Sequence, residues 1–396
     1  MPIKRPLPIL FLSDAPDQHS GLARITRDLA SLLSADPTFR VGVLGLQGHG
    51  SRKLPFTQYS IQFNSATGDG RWGDLTLPEV WHDFAGGEAG VVFTIWDATR
   101  LMWFARPEFL PESKLRSFLE SRQFVKWGYF PVDATGPGDR LTAQTRHTLQ
   151  GFDRRLAYTK WAQPLLDAET WIPHGINMDV FKPRERLESR RSLHPYWTED
   201  DFVVGHVATN QIRKDWGLVA ATCCELRKRV KRLRLWWHVD VDIRHWSIPA
   251  LLEDYGLRDI TVVTHEMNDT GMSKGYSACD VVLAPSPEGF GYPVFESLAC
   301  GTPVLVGDCA GAADIMNQIG LSSHLVEPVA YRLETQHNCI RPVFSPEEWT
   351  ERVLQYHLHP MYGDGDATAY YQERVTHLSW KNLWPTWRRW FKEGIQ

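Results

Sequence analysis

The sequence of 396 residues contains no apolar run that approaches the roughly 18 residues of a membrane span. None of its six cysteines forms a CxxC pair, so neither a zinc ribbon nor a redox motif is indicated, and reduced cytoplasmic thiols are the simplest interpretation. An excess of positive charge is also missing, since 43 lysines and arginines stand against 47 acidic residues, which argues against a generally basic nucleic-acid-binding protein. The apolar run Pro8–Leu12 is followed by Asp14, which leaves it far shorter than the core of a signal peptide, so we expect no targeting segment.

The composition is otherwise that of a folded globular protein, with 43% hydrophobic and 23% charged residues. At roughly 100–200 residues per domain, the length predicts two domains. Tryptophan is unusually frequent, with 17 residues. Each tryptophan is more simply interpreted as a core filler than as a stacking platform for sugars or bases.

Short apolar runs alternate with amphipathic patterns in both halves of the chain, which predicts parallel sheets covered by helices. In the first half, the predicted strands are Ile9–Leu12, Arg40–Leu46, Gly90–Ile95, Gln123–Phe130 and Leu156–Thr159. In the second half, they are Phe202–Ala208, Leu233–Val239, Ile260–Thr264, Val281–Ala284 and Pro303–Val306, with helices over Trp216–Arg229 and Phe295–Cys300. The pattern therefore predicts an α/β protein with two parallel-sheet domains, joined near Pro173–Pro183 and leaving a cleft between them.

The most distinctive motif is Ser286–Val304, which follows the predicted strand Val281–Ala284. Its glycines allow the backbone to approach a ligand closely, and the amides of a helix start favour a phosphate. Glu288 lies in the loop and Glu296 lies eight residues further on, in the predicted helix. The two carboxylates can accept hydrogen bonds from the paired hydroxyls of a sugar, so we expect both to face one ligand.

This segment resembles the E-x7-E signature of retaining glycosyltransferases, and of glycosyltransferase family 4 in particular. Gly21, the segment Ile172–Phe181 and Lys214 resemble further motifs of that family and occur in the same order. The resemblance covers nearly the whole chain and is weakest at residues 52–90 and beyond Ser345. It implies a GT-B fold of two Rossmann-like domains that face each other across a cleft. The acceptor domain would span residues 1–177 and the nucleotide-sugar domain 178–377, and a last helix over about 378–396 would pack back onto the first domain.

The resemblance also implies roles for individual residues. Lys214, with Arg213, would neutralise the diphosphate of the donor, and Glu296 would hold its ribose hydroxyls. Glu288 would contact the transferring sugar. The donor-binding residues implied in this way also include Gly21, Phe290, Gly291, Tyr292 and His265. No metal and no cofactor is expected, and the donor is a UDP-, GDP- or ADP-sugar.

Two positions depart from the family pattern. Thr209 stands where the family has an arginine five residues before the lysine, and Arg213 is a candidate replacement. Asp133 stands where many members have a histidine beside the sugar, and it could orient a hydroxyl or accept the acceptor's proton. Alternatively, Asp133 only caps a turn, and Asp97 is a weaker second candidate.

The acceptor is the least constrained part of the prediction. Tryptophans 72, 81, 96, 103, 127, 161 and 171 lie in the first half, and Arg52, Lys53 and Arg71 flank its loop-rich segment. These residue types suit a glycan, which is the preferred acceptor, or a hydroxymethylated base of DNA in a virus-infected cell. The basic run Arg227–Arg234 is either a solvated face or a contact for anionic lipid or nucleic acid. A non-catalytic nucleotide-sugar-binding protein is the remaining alternative.

Overall fold

A computed structural model of the chain describes residues 5–48, 53–334, 338–359 and 365–394, and Arg52 lies outside these ranges. The chain forms two compact units. The first comprises residues 1–174 and 384–396, and the second comprises residues 175–383. The chain passes from one unit to the other between His174 and Gly175, inside the segment where proline and glycine are frequent.

The first unit is built on one parallel sheet. Its strands in the described residues are β1 (Leu7–Asp14), β2 (Phe39–Leu46), β3 (Thr57–Ser60), β4 (Gly90–Thr94), β5 (Phe124–Phe130), β6 (Arg154–Ala157) and β7 (Thr170–Trp171). They are arranged in the order β3-β2-β1-β4-β5-β6-β7. The run Ile9–Leu12 is completely buried, as expected for a central parallel strand with both faces covered. Because the chain reverses direction across the sheet between β1 and β4, the switch point lies between these two strands.

The helices of this unit connect the strands and cover the sheet. They are α1 (Gly21–Ser34), α2 (Leu77–Ala85), α3 (Met102–Ala105), α4 (Lys114–Glu120), α5 (Ala143–Leu149) and α6 (Ala162–Leu166). Single 3₁₀ turns follow β4 at Ala98–Arg100 and α3 at Pro107–Phe109. In α1, the spacing of Ile25, Leu29 and Leu33 places all three on the buried face.

The second unit repeats this architecture. Its strands in the described residues are β8 (Phe202–Val207), β9 (Leu233–His238), β10 (Thr261–Thr264), β11 (Val281–Ala284), β12 (Val304–Gly307), β13 (Leu325–Val326), and the hairpin strands β14 (Ala330–Glu334) and β15 (Cys339–Val343). The first six form a parallel sheet in the order β10-β9-β8-β11-β12-β13, so its switch point lies between β8 and β11. Two parallel sheets of this kind confirm the predicted α/β class with two Rossmann-like units.

The remaining helices are α7 (Arg186–Leu193), α8 (Trp216–Arg229), α9 (Ile248–Asp254), α10 (Asp269–Ala278), α11 (Tyr292–Ala299), α12 (Ala310–Gln318), α13 (Pro346–Leu358), α14 (Gly365–Val375) and α15 (Trp380–Glu393). Further 3₁₀ turns lie at Ile212–Lys214, Arg258–Ile260, Ser322–His324 and Thr376–Leu378. From Trp384 onward, α15 belongs to the first unit. There, Trp387 donates a hydrogen bond to the Pro173 carbonyl at 3.0 Å, and Arg388 pairs with the buried carboxylate of Asp36 at 2.5 Å.

Several elements differ from the sequence prediction, and the short strands β3, β7 and β13 have no predicted counterpart. The strand predicted at Leu156–Thr159 lies at Arg154–Ala157, because Arg154 pairs with Trp127 of β5 and ladder pairing rather than apolarity sets its start. The hairpin β14–β15 has no counterpart among the predicted elements. Its first strand is mostly exposed, so it lacks the apolar alternation by which strands are recognised.

Candidate functional site

The loop between β11 and α11 makes a tight turn that requires glycine. Gly291 has a φ of +90° and occupies the residue before the first turn of α11, and Pro293 lies in that turn. A Cβ added to Gly291 would lie 3.3 Å from the Cβ of Glu288 and 3.4 Å from that of Ala312. The turn therefore brings the backbone amides at the start of α11 close to the side chain of Glu288, as a helix start that binds an anion requires.

Glu288 is the centre of a buried ion cluster. Its carboxylate pairs with the Lys214 ammonium, accepts a hydrogen bond from Ser286 at 2.7 Å, and lies 3.4 Å from the Arg213 guanidinium. Its main-chain carbonyl accepts hydrogen bonds from the first amides of α12, including that of Gly311 at 2.9 Å. Burial by itself would raise the pKa of Glu288, but Lys214 and Arg213 together lower it to about 2. Glu288 is therefore ionised at neutral pH.

Lys214 and Arg213 reach this carboxylate from the loop after β8. Both residues lie in the 3₁₀ turn Ile212–Lys214, which ends at Asp215, and Asp215 caps α8 by accepting a hydrogen bond from the Leu218 amide. Arg213 also donates to the Pro287 carbonyl at 2.9 Å, and Lys214 is only 8% exposed. The two cations and Glu288 thus meet at the carboxyl ends of β8 and β11, which is the switch point of the second sheet.

Asn210 fixes the loop that carries these cations. Its main-chain amide donates to the Asp240 carboxylate at 2.6 Å, and its side-chain amide donates to the carbonyls of Val241 and Trp246. The neighbouring Thr209 accepts a hydrogen bond from Trp216 through its main-chain carbonyl. The loop is therefore held by contacts with the residues that follow β9.

Glu296 lies in α11 and is buried, with 3% exposure. It accepts a hydrogen bond at 3.0 Å from the hydroxyl of Tyr276, which is itself fully buried. A buried carboxylate needs such partners, because an unpaired buried charge is costly. The tyrosine contact therefore holds the Glu296 carboxylate in position on the helix that follows the Glu288 loop.

His206 is a residue that the sequence analysis missed. It lies near the end of β8, is 1% exposed, and its Nδ1 lies 2.8 Å from the Leu283 carbonyl. Its Nε2 is buried without a hydrogen-bond partner in the described part of the chain. Burial lowers the pKa of His206 to about 4, so the ring is neutral at pH 7. The signal was present in the sequence, since a histidine inside an otherwise apolar strand is a buried polar group that needs an explanation.

His265 lies apart from the ion cluster, beyond the end of the edge strand β10. It is exposed, with Nδ1 2.8 Å from the Val239 carbonyl and Nε2 3.4 Å from Asp242. These contacts are with the residues that follow β9, and none of them is with Glu288.

The candidate residues of the first unit lie at the carboxyl edge of its own sheet. Gly21 is the first residue of α1, and the preceding Ser20 caps this helix through the Ala23 amide. Ser20 also donates at 2.6 Å to Asp14, the last residue of β1. Asp133 follows β5 and is half-buried, while Asp97 follows β4 and pairs with Arg100 at 3.2 Å.

The basic run Arg227–Arg234 is largely neutralised by ion pairs within the second unit. Arg227 pairs with Asp259, Lys228 with Glu225, and Arg229 with Glu351. Arg232 and Arg234 both lie 3.3 Å from Asp201. This pattern favours the solvated face over a contact for lipid or nucleic acid.

Within the described ranges, no three histidine, cysteine or acidic side chains are grouped as metal ligands would be. No helix in that part of the chain has both the length and the apolar character needed to cross a membrane.

The fold is shared with solved glycosyltransferases of the GT-B class. Sucrose-phosphate synthase from Thermosynechococcus elongatus superposes with a TM-score of 0.73 at 16% identity, covering 98% of this chain and 99% of that one. Anabaena HepE in complex with UDP and glucose superposes with a TM-score of 0.69 at 15% identity, again over 98% and 99% of the two chains. At this level of identity, the likeness establishes the GT-B fold.

Within that class, residues 202–334 match the family model described as Glycosyl transferases group 1. The D-inositol 3-phosphate glycosyltransferase of Kribbella flavida is 30% identical over 146 residues, which are 35% of this chain and 34% of that protein. The enzyme of the same name from Xylanimonas cellulosilytica is 25% identical over 206 residues, or 49% of this chain and 46% of that protein. The chain thus matches between a third and a half of the length of these curated relatives. The segment that matches the family model lies in the second unit, and together with the GT-B likeness it confirms the resemblance inferred from the sequence motifs.

Proposed function

We propose that this chain is a retaining glycosyltransferase that moves a sugar from a nucleotide sugar to a hydroxyl group of a glycan. The observation that carries the proposal is the buried cluster of Lys214, Arg213 and Glu288 at the switch point of the second sheet. The cluster lies inside the segment that matches the group 1 glycosyltransferase model. The buried Lys214 and the partly buried Arg213, beside a helix start, are suited to a diphosphate.

The reaction exchanges one bond at the anomeric carbon for another. The bond from this carbon to the diphosphate oxygen breaks, and a bond from the same carbon to the acceptor oxygen forms. The nucleoside diphosphate leaves with the bonding electrons, and the acceptor hydroxyl gives up its proton. Negative charge therefore grows on the diphosphate, and Lys214 and Arg213 stabilise it in the transition state without reorganising.

In this proposal, Glu288 partly neutralises Lys214 until the donor arrives and then contacts the transferring sugar. The amides of Phe290, Gly291 and Tyr292 bind the sugar or phosphate, and Glu296 accepts hydrogen bonds from the ribose hydroxyls. His265 contacts the nucleotide base. The printed names of similar structures support a nucleotide-sugar donor, since one contains UDP and glucose and a starch synthase contains ADP and acarbose.

The first unit supplies the remaining roles in this proposal. Gly21 lies against the donor phosphates, and Asp133 orients a sugar hydroxyl or accepts the proton of the acceptor. We assign no nucleophile to the protein, and in this proposal the donor phosphate itself assists the transfer with retention.

Donor binding is the first test of this proposal. Calorimetric titration with UDP, GDP and ADP is expected to identify one nucleotide that binds, and Lys214→Ala and Glu296→Ala are expected to weaken its binding at least about tenfold, as for lost charged hydrogen bonds. Lys228→Ala is the matched control, since this exposed lysine pairs with Glu225 outside the cluster. If no nucleotide or nucleotide sugar binds to the unaltered protein, the proposed function is wrong.

Turnover and stereochemistry are tested separately. Proton NMR during hydrolysis of the donor is expected to show a first-formed sugar with the anomeric configuration of the donor. Nucleotide binding without any turnover, in the presence of glycan acceptors, would instead support the non-catalytic alternative. Labelled donor offered to a glycan mixture, a lipid extract and hydroxymethylpyrimidine DNA identifies the acceptor class. Label in the DNA, with a steep loss on added salt, would replace the glycan.

A further inference from the structure

A second polar cluster occupies the switch point of the first sheet. Asp14 ends β1, and Trp96 and Asp97 follow the end of the neighbouring strand β4. The loop between β3 and α2 brings Trp72 onto Trp96, with the ring centroids 5.5 Å apart and the rings nearly perpendicular. Open parallel sheets bind ligands outside the carboxyl ends of their strands at such a switch point, so this is the expected place for a ligand of the first unit.

Trp72 is held in place by an uninterrupted series of contacts. Its partner Trp96 is fully buried and donates a hydrogen bond to Asp14 at 2.9 Å. The second oxygen of Asp14 accepts from Ser20, which caps α1. The loop that carries Trp72 is therefore tied to the Gly21 end of α1, where the proposed function places donor phosphates. Trp72 is a fixed platform and not a free surface side chain.

Two guanidinium groups lie against this one indole ring. The Cζ of Arg71 is 5.2 Å from the Trp72 ring centroid, and the Cζ of Arg100 is 4.8 Å from it. The two cations are therefore separated by no more than about 10 Å, a distance comparable with the Debye length at physiological ionic strength, so salt screens their repulsion only partly. Cation–π attraction to the indole ring offsets part of this repulsion. Asp97 also pairs with Arg100, at 3.2 Å.

We propose that Arg71, Trp72 and Arg100 form a binding site for an anionic oxygen group, a phosphate or a carboxylate, carried by the sugar or polyol acceptor. This inference rests on the proposed glycosyl transfer and gives its acceptor a chemical class. Each guanidinium offers several N–H donors in a fork that matches these two anions. Binding there places the anion beside the end of β4 and leaves the hydroxyl groups of the acceptor available for transfer.

The extent of the cluster indicates a small acceptor and not a nucleic acid. Proteins that bind DNA through its backbone typically contact about 6–10 phosphates with lysine and arginine. Here two arginines lie against the tryptophan. The charges of the run Arg227–Arg234 are largely neutralised by ion pairs, and the formal charge of the chain is −4. Two cations suit one anionic group of a small acceptor.

The experiment measures acceptor binding directly and does not require the natural acceptor. The full-length protein, saturated with the nucleoside diphosphate that it binds, is titrated calorimetrically with hexose phosphates, inositol phosphate and hexuronates, each beside its neutral parent. We expect at least one anionic compound to bind about 10- to 100-fold more tightly than its neutral parent, as charged hydrogen bonds predict. The phosphate and carboxylate arms distinguish the two anions.

The double variant Arg71→Gln, Arg100→Gln is expected to abolish this preference while nucleoside diphosphate affinity stays unchanged. Arg116→Gln is the matched control, because this arginine of α4 pairs with Glu120 and does not touch Trp72. Equal binding of anionic and neutral compounds, no binding of any anionic compound, or a preference that survives the double variant would each refute the inference. So would tight, salt-sensitive binding of hydroxymethylated DNA that the double variant loses. All these outcomes leave nucleotide binding, and hence the proposed function, to be judged on its own test.

Discussion

Glu288 illustrates how a single buried carboxylate is tied to the cations around it. Its side chain is 16% exposed and has Lys214 and Arg213 as ion-pair partners. A buried pair adds little to stability compared with apolar residues, but removing one member leaves the other charge uncompensated. The cluster therefore contributes more through the positive charge that it holds at the proposed diphosphate site than through the stability of the unit.

The variant Glu288→Gln is expected to lower the free energy of unfolding by about 3 kcal/mol at pH 7, because it leaves buried Lys214 without its counter-charge. The pKa of Glu288 is lowered to about 2 in the folded protein, from 4.5. Its stabilising contribution is therefore present above pH 4.5 and is lost as the pH falls toward 2. Denaturant unfolding at pH 7, 4.5 and 3 checks this, since the difference between variant and wild type should shrink with decreasing pH. A difference that stays constant would mean that the charge of Glu288 has no part in it.

At the scale of elements, the α11 turn depends on Gly291. Its φ of +90° is one that residues with a Cβ rarely adopt, and the added Cβ would meet Glu288, Val294 and Ala312 at 3.3–3.4 Å. Gly256 in the same unit has a φ of +61°, and no atom lies within 4 Å of an added Cβ there. An alanine at Gly256 would therefore introduce backbone strain alone, whereas an alanine at Gly291 would introduce both backbone strain and steric contact.

Gly291→Ala is expected to destabilise the protein by more than the roughly 1–2 kcal/mol of left-handed strain that Gly256→Ala should cost. It is also expected to weaken nucleotide binding, because any shift of the turn moves the amides at the start of α11 and the Glu288 carboxylate together. Thermal unfolding and calorimetric titration of both variants test this. If the two variants lose the same stability and Gly291→Ala binds nucleotide normally, the turn is not part of the donor site.

Local patterns predicted the elements well where burial and spacing decide the structure. Helix α8 runs over Trp216–Arg229 and β11 over Val281–Ala284 as predicted, while α11 begins at Tyr292, ahead of the predicted start at Phe295. What the sequence could not provide is the set of contacts between distant residues. Arg71 and Arg100 meet on Trp72 only because β4 lies beside β1 and the loop after β3 folds over their ends. Such a juxtaposition depends on topology, which residue spacing does not encode.

At the scale of the whole molecule, the two units repeat one arrangement. Each sheet has its switch point between its first strand and the strand that begins its second half, and each switch point gathers charged side chains. In the second unit these are Lys214, Arg213 and Glu288, and in the first they are Asp97 and Arg100 beside Trp72. In our two proposals, one fold used twice supplies an anion site for the donor in the second unit and an anion site for the acceptor in the first.

Both units also contain buried histidines whose pKa is lowered by burial. His174 ends the first unit and lies within 3.1 Å of the Tyr129 hydroxyl, while His206 and His324 lie in the second. The pKa is well below 6.5 for His174, and about 4 for His206 and His324. In the unfolded chain, these histidines bind protons below about pH 6.5. In the folded protein, they bind protons only near pH 4 or below, because burial disfavours the charged ring. Stability should therefore decrease as the pH falls through this window.

His206 and His324 form a matched pair for testing both acid stability and the donor site. His324 lies 2.8 Å from the Tyr356 hydroxyl, whereas His206 lies near Lys214 and Glu288, whose charges act on it. For His206→Gln and for His324→Gln, we compare the loss in free energy of unfolding relative to wild type at pH 7 and at pH 4. This loss should be about 3 kcal/mol smaller at pH 4, because only the wild type is destabilised by protonation of the histidine in the unfolded chain. Nucleotide affinity at pH 7 should fall for His206→Gln and remain unchanged for His324→Gln. Equal affinities in the two variants would show that His206 serves the fold alone, since both substitutions remove a buried neutral ring and only one of them lies beside the proposed diphosphate site.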